Sequence, residues 1–385
     1  MKYGYFDDIK REYVIETPAT PLPWINYLGS QEFFSLISNT AGGYCFYRDA
    51  KLQRLLRYRY NSVPADIGGR FFYIKEGDSL WSPTFHPVDA KLDRYLCRHG
   101  MGYTVFQSAK DGLAADITFF VPTGENCEVQ QVVLRNETDK AKTFRFTGAV
   151  EWCLWNAVDD STNFQRNLNI GELEVENSVI YHKTEYRERR DHYAYYGVNA
   201  PMAGFDTDRD AFLGQFGTYA APKSVVSGQT CDFVAHGGAP MAGIALDVEL
   251  APGEEKSYIF VLGYGHNPRD QKFLSPGVIR KDTAYRVLEK FSTDAAVEAA
   301  LAELKAYWEG LLGIYHLDCA DENLSRMVNT WHQYQCMVTF NMSRSASFYE
   351  SGTGRGMGFR DSCQDLLGFV HISAVIPTSP ALVVV

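Results

Sequence analysis

Residues 127–155 read CEVQQVVLRNETDKAKTFRFTGAVEWCLW, and their spacing decides the fold class. Phe144, Phe146, Val150, Trp152 and Leu154 fall on one parity, with Gly148 keeping the phase. Side chains of a strand alternate between its two faces, so this pattern predicts a half-buried strand. The same grammar continues outward. AADITFFVPTGEN at 114–126 is a short apolar run closed by turn residues, and IALDVELAPGEEKSYIFVLGYG at 244–265 sets two strands around Pro252-Gly253. Many strands with spaced turns and almost no helical period across 1–270 predict a large antiparallel sandwich.

The grammar changes near residue 280. AYRVLEKF and STDAAVEAALAELKAYWEGLL have helical spacing, with Ser292 or Thr293 as N-cap, and 280–312 reads as a helical linker. A third region opens at Asp321. In DENLSRMVNTWHQYQCMVTF the apolar Leu324, Met327, Val328, Trp331 and Val338 recur at helical spacing. The polar Asn329, His332, Gln333 and Gln335 either line a cavity or form a hydrated outer face.

The composition narrows the function classes. The 385 residues have room for two domains, and 45% hydrophobic with 22% charged residues suits a globular chain. A net charge of −10 excludes a nucleic-acid surface, which needs clustered cations. The one cationic cluster, TEYRERRDHY at 184–193, is interleaved with acids and reads as a solvated ion-pair face. The 24 Tyr and 24 Phe serve either sugar faces or a β-rich core. The eight cysteines form no CxxC or Cys/His metal spacing, so reduced thiols and no metal are expected. MKYGYFDDIKREYV lacks a signal-peptide apolar core, and no run is long enough to cross a membrane as a helix. A cytoplasmic protein without membrane or nucleic-acid partners is the expectation.

Residues 343–371, SRSASFYESGTGRGMGFRDSCQDLLGFVH, carry the chemistry. Arg344, Arg355, Arg360, Asp361 and Asp365 sit among five glycines and four aromatics, which suits an anionic or hydroxyl-rich ligand. A guanidinium fork matches phosphate oxygens or paired sugar hydroxyls, and an ionised carboxylate accepts from two adjacent hydroxyls. Arg360 is expected to orient Asp361 or to pair with Asp365. The glycines at 352, 354, 356 and 358 do not make a dinucleotide fingerprint. Their spacing is wrong and a helical element precedes them.

With these residues in view, the chain resembles the cellobiose phosphorylases, a family of inverting glycoside phosphorylases. The resemblance rests on GYFDD, TPLPWINYLG at 20–29, FFSLISNTAGGYCFYRDA at 33–50, RYRYN at 57–61 and YLCRHG at 95–100. It continues through CLWNAVDDSTNFQRNLN at 153–169, VIYHKTEYRERRDHYA at 179–194, HQYQCMVTFNMSRSAS at 332–347 and SGTGRGMGFRDSCQDLLGFVH at 351–371. It implies a β + α multidomain chain: a β-supersandwich over 1–275, a helical linker over 276–314 and the start of an (α/α)6 barrel over 315–371. Residues 372–385 form an uncharged tail. It implies phosphorolysis of cellobiose to α-glucose 1-phosphate and glucose by a homodimer, with inorganic phosphate as co-substrate and no cofactor. Arg344 would lie at the phosphate, and Arg355 and Asp361 would hold the donor sugar. Gln165 and Arg166 would reach the acceptor sugar across the dimer, while Asp159 and Asp160 would be structural.

The general-acid aspartate of that family has no counterpart among the matched residues, so no catalytic acid is assigned here. A twelve-helix barrel needs on the order of 200 residues, so an incomplete barrel and an inactive chain are expected, with the tail a frameshift or truncation. On that expectation helix 321–340 leaves its Leu, Met, Val and Trp side chains exposed or poorly packed. Two other readings remain: a non-catalytic carbohydrate-binding sandwich, or a phosphorylase for laminaribiose, cellodextrin or chitobiose.

Overall fold

The run at 127–155 folds as two strands, Cys127–Asn136 and Lys142–Trp155, and these belong to different sheets. The structure is a computed structural model describing residues 2–29, 31–58, 68–161, 171–184, 191–342 and 358–373. Its ten-stranded antiparallel sheet runs in the order Gly4–Asp7, Glu12–Ile15, Arg94–His99, Tyr103–Lys110, Leu113–Phe120, Cys127–Asn136, Glu255–His266, His192–Val198, Val179–Thr184, Gly171–Glu176. A nine-stranded sheet covers it. Its main path is Gly204–Asp208, Pro240–Leu250, Lys142–Trp155, Arg54–Leu56, Cys45–Tyr47, Phe33–Ser38, Ile25–Leu28. Arg70–Glu76 also pairs with Lys142–Trp155 and carries Ser79–Trp81.

The turn signal at Pro252-Gly253 therefore joins two layers rather than closing a hairpin, because Pro240–Leu250 and Glu255–His266 lie in opposite sheets. Asn136 ties both crossings together. Its buried Nδ2 donates to the carbonyls of Lys140, Leu250 and Ala251, and its Oδ1 accepts from the Thr138 N–H and hydroxyl.

Between the layers lies an aromatic core. The Phe72 ring meets Phe146 of its own sheet at 5.7 Å and Phe119 and Phe260 of the other sheet at 5.9 Å each. A fully buried ion pair crosses the same space, Arg70 Nη2 to Glu128 Oε2 at 3.0 Å. Most of its remaining valences are filled, with Arg70 Nε left without a hydrogen-bond partner among the described residues. Arg70 donates to the Leu36 carbonyl and Ser35 hydroxyl, and Glu128 accepts from the Ser35 hydroxyl and from Gln130 Nε2.

Lys142–Trp155 departs from the half-buried expectation, since every residue from Phe146 onward is buried. The second face is covered by Phe212, Leu213, Tyr219 and Val225, from the short helices Arg209–Leu213 and Lys223–Ser227 and the turn between them, which pack on Phe71, Tyr73 and Ala149. A shift in pairing between Trp152 and Trp155 then turns Trp155 into the inter-sheet core as well.

The outer face of the ten-stranded sheet is covered by helices. Asp282–Lys290 and Asp294–Leu312 lay Val287, Phe291, Val297, Leu304 and Trp308 against Val129, Tyr193, Tyr195 and Val261. Thr293 is the N-cap of the longer helix, accepting from the Ala296 N–H. Residues 322–341 follow as Glu322–Arg326, a π-turn over Met327–Trp331, and His332–Asn341.

The expectation that this helical stretch stands unpacked is overturned for Trp331, Met337 and Val338, all buried, while Leu324 is exposed. The sandwich and the helix Asp294–Leu312 supply the covering surface: Trp331 meets Phe6 at 5.5 Å, and its neighbour Tyr334 meets Trp308 at 4.8 Å. Nor do the four polar residues share one cavity wall. Asn329 clasps both backbone groups of Leu317, Gln333 is buried, and His332 and Gln335 are exposed. At 184–193 the solvated reading fails for His192 and Tyr193, which are buried in a strand. Residues 185–190 lie outside the described residues.

None of the eight cysteines forms a disulfide. Among the described residues no helix is long and apolar enough to cross a membrane. No His, Cys, Asp and Glu group with metal-holding geometry occurs among them either.

Candidate functional site

Asp361 is the candidate residue that the structure describes. It lies half-buried in the first turn of the helix Phe359–Leu367, whose N-cap is Gly358. A Cβ on Gly358 would stand 2.7 Å from Asp361 Oδ2. The glycine therefore leaves room for the carboxylate to fold back over the helix start, where the backbone N–H groups favour a negative charge. This geometry holds an oxygen pair at a helix terminus. Arg360, one residue earlier, is exposed. Arg344 and Arg355, with the glycines at 352, 354 and 356, lie outside the described residues, as do Gln165 and Arg166.

The frame around those segments is described. The helix His332–Asn341 leads into 343–357, and Phe359–Leu367 and Val370–Ser373 receive the chain afterwards. Cys336 faces Gly368, Phe340 meets Phe369 at 5.3 Å, and Gln333 Oε1 lies 3.0 Å from His371 Nε2.

The 162–170 segment leaves from the helix Ala157–Ser161. Asn156 caps that helix, accepting from the N–H groups of Val158 and Asp159. Asp160 is buried 3.2 Å from Arg57 Nε, which agrees with a structural role. Arg57 also bonds Glu151 at 2.6 Å, and Glu151 accepts from the Tyr219 hydroxyl at 2.6 Å and faces Arg209 at 3.4 Å. Glu151 escaped the sequence reading because its strand looked half-exposed. Its signal was an acid inside an otherwise apolar run. Nearby, His182 lies parallel to Trp152 and Trp155, at 5.4 and 5.9 Å.

The aromatic excess is largely a core property among the described residues. Trp81, Trp152, Trp155, Tyr44, Tyr73 and Tyr196 are among the largest fully buried side chains. A cleft of about 240 Å3 opens under Asp282–Lys290, lined by Tyr181, Ile259, Tyr285 and Phe291 among others, and no candidate residue lines it.

Two family matches cover this architecture in order. The glycosyl hydrolase 94 supersandwich domain matches residues 11–294, and the glycosyl hydrolase 94 superfamily catalytic domain matches residues 307–379. The chain belongs to the glycosyl hydrolase 94 family. It is 33% identical over 394 residues to an N,N'-diacetylchitobiose phosphorylase of Vibrio furnissii, covering 99% of this chain and 46% of that protein. A second N,N'-diacetylchitobiose phosphorylase, from Vibrio proteolyticus, is 32% identical over 96% of this chain and 45% of its own length. A 3-O-beta-D-glucopyranosyl-beta-D-glucuronide phosphorylase of Paenibacillus borealis is 26% identical, with 96% and 44% covered. This glycosyl hydrolase 94 chain thus spans less than half the length of these curated relatives. Among solved structures, a human-microbiome protein assigned as a kojibiose phosphorylase aligns with a TM-score of 0.53 at 11% identity. It covers 89% of this chain and 43% of that one, a likeness of fold alone. Glycoside phosphorylases of this family take phosphate as co-substrate.

Proposed function

We propose that this chain serves the inverting phosphorolysis of a β-linked disaccharide, releasing an α-sugar 1-phosphate. The observation that carries the reading is the family match of both parts in sequence, with phosphorylases as relatives along nearly the whole chain. Phosphate is already an anionic nucleophile, so this chemistry needs one general acid for the leaving oxygen and cations that hold phosphate in line. Arg344 is proposed at the phosphate, Arg355 and Asp361 at the donor sugar, and Gln165 and Arg166 at the acceptor across a homodimer. The proposed division is a sandwich over 1–275, a linker over 276–314 and the first part of an (α/α)6 barrel over 315–371. The relatives are about twice as long as this chain, and the activity is proposed for the protein that carries a complete catalytic domain, which also supplies the acid. Eight cysteines without a disulfide support a reducing, cytoplasmic setting.

Two disaccharides are favoured by different observations. The NFQRN loop at 163–167 resembles the cellobiose type. The names of the two Vibrio relatives favour N,N'-diacetylchitobiose. Parallel assays of both sugars with phosphate decide between them. Turnover of cellobiose supports the loop reading, turnover of N,N'-diacetylchitobiose supports the relatives, and turnover of neither defeats both assignments.

A further inference from the structure

We propose that Tyr334 and Gln333 are positioning residues that fix the Asp361-bearing helix against the sandwich. This rests on the function proposed above and adds residues outside its candidate site. The joint has two arms on adjacent residues of one helix.

The first arm is the Tyr334 hydroxyl, buried at the sandwich. It accepts from the Gly102 N–H at 3.0 Å and has two acceptors in reach, Asn26 Oδ1 at 2.9 Å and the Tyr27 carbonyl at 2.8 Å. Asn26 is itself fixed, since its Nδ2 donates to the carbonyls of Gly100 and Tyr103. The hydroxyl thus connects two separate stretches of the sandwich, 26–27 and 100–103, to the helix His332–Asn341.

The second arm runs the other way. A π-turn widens the helix at Met327–Trp331, and the Gln333 Nε2 donates to the Val328 carbonyl at 2.9 Å. The other end of the Gln333 amide accepts from His371 Nε2 at 3.0 Å, on the short helix after Phe359–Leu367. Close packing reinforces this arm. A Cβ on Gly368 would stand 2.4 Å from Cys336 Sγ, so only glycine allows this approach. The extra residue of a π-turn shifts the helix phase, and such turns frequently occur at functional sites. Here the shift lets Trp331 and Tyr334 both face the sandwich while Gln333 reaches the following helices.

Sandwich, Tyr334, Gln333 and His371 therefore form one path, which reaches the Asp361 helix through its C-cap Gly368 against Cys336 and the Phe369 N–H donating to the Leu366 carbonyl. Neither Tyr334 nor Gln333 needs to touch the sugar for its loss to move Asp361.

The test is calorimetric titration of the protein carrying a complete catalytic domain with α-glucose 1-phosphate and α-N-acetylglucosamine 1-phosphate, for wild type, Tyr334→Phe, Gln333→Leu and Thr138→Ala. Thr138 sits at the inter-sheet crossing, so its variant reports mere destabilisation. The expected result is roughly tenfold weaker sugar-phosphate binding for Tyr334→Phe and for Gln333→Leu. Thr138→Ala should bind as wild type despite a lowered Tm. Wild-type affinity in both joint variants overturns the positioning proposal while leaving the function intact. Equal weakening in Thr138→Ala overturns it too, because stability alone then explains the loss. A wild-type protein with the complete catalytic domain that binds neither sugar phosphate defeats the site assignment itself, a result distinct from the other two. If Tyr334→Phe does not fold, Gln333→Leu decides alone.

Discussion

The two faces of the ten-stranded sheet are held by different means. The inner face meets the second sheet through an apolar core threaded by a fully buried charge pair, Arg70–Glu128, hydrogen-bonded to Leu36, Ser35 and Gln130. The outer face meets helices through aromatic contacts, with its charged ties at the rim. Arg326 holds Asp8 at 2.5 and 2.7 Å, and a buried Glu125 carboxylate receives the exposed Arg286 and Lys290. Buried charges are costly to strand, whereas exposed pairs contribute little. The inner face should therefore govern global stability, and the outer face should govern the placement of the helices that carry the candidate site.

The sharpest way to break this comparison is to strand one inner charge. Glu128→Leu leaves Arg70 buried without its partner and should cost about 3–5 kcal/mol in urea unfolding. The pair Arg70→Met with Glu128→Leu should recover most of that loss. A single variant as stable as wild type removes the distinction between the faces.

Acid should act on the inner face next. His99 shares its strand face with the core residue Cys97 and lies 2.9 Å from Thr104 Oγ1 and 3.1 Å from the Trp24 carbonyl. Burial pushes its imidazole down to about 4, partly offset by the Trp24 carbonyl. The unfolded chain takes up a proton near pH 6.5, where the folded chain does not. Stability is thus full above about 6.5 and falls as pH drops towards 4, by roughly 3 kcal/mol over the window. Burial also lowers His86, which acts in the same direction. Tm against pH should flatten in His99→Gln, and an unchanged slope assigns the acid sensitivity elsewhere.

Asn136→Ala tests the crossings between the sheets. It strips the Leu250 and Ala251 carbonyls of a donor and should cost about 2 kcal/mol in urea. At the rim, Arg326→Ala should change unfolding by less than about 1 kcal/mol, because Asp8 is mostly exposed. A larger loss would mean the outer face carries global stability after all.

The local periods were legible in the sequence. The two strands around Pro252-Gly253 and the helical repeat at 292–312 are properties of neighbouring residues, and the folded elements match them. What failed were statements needing a distant partner. Nothing local to Glu128 and Gln130 shows that they are buried, because their partners Arg70, Ser35 and Tyr196 come from distant parts of the chain. Trp331 and Met337 looked stranded because their cover is a sheet and a helix from earlier in the chain. At the site, the sequence marked Asp361 as a ligand-facing acid but could not distinguish that from an acid at a helix start, since both favour the same residue.

The measurement that tests the central claim most directly is 31P NMR of inorganic phosphate with cellobiose or N,N'-diacetylchitobiose. It would use the protein carrying a complete catalytic domain, with this chain alone alongside. The account predicts an α-sugar 1-phosphate signal that appears only with phosphate and only in the complete protein. Sugar released without phosphate, a β-configured product or no turnover in the complete protein would contradict it.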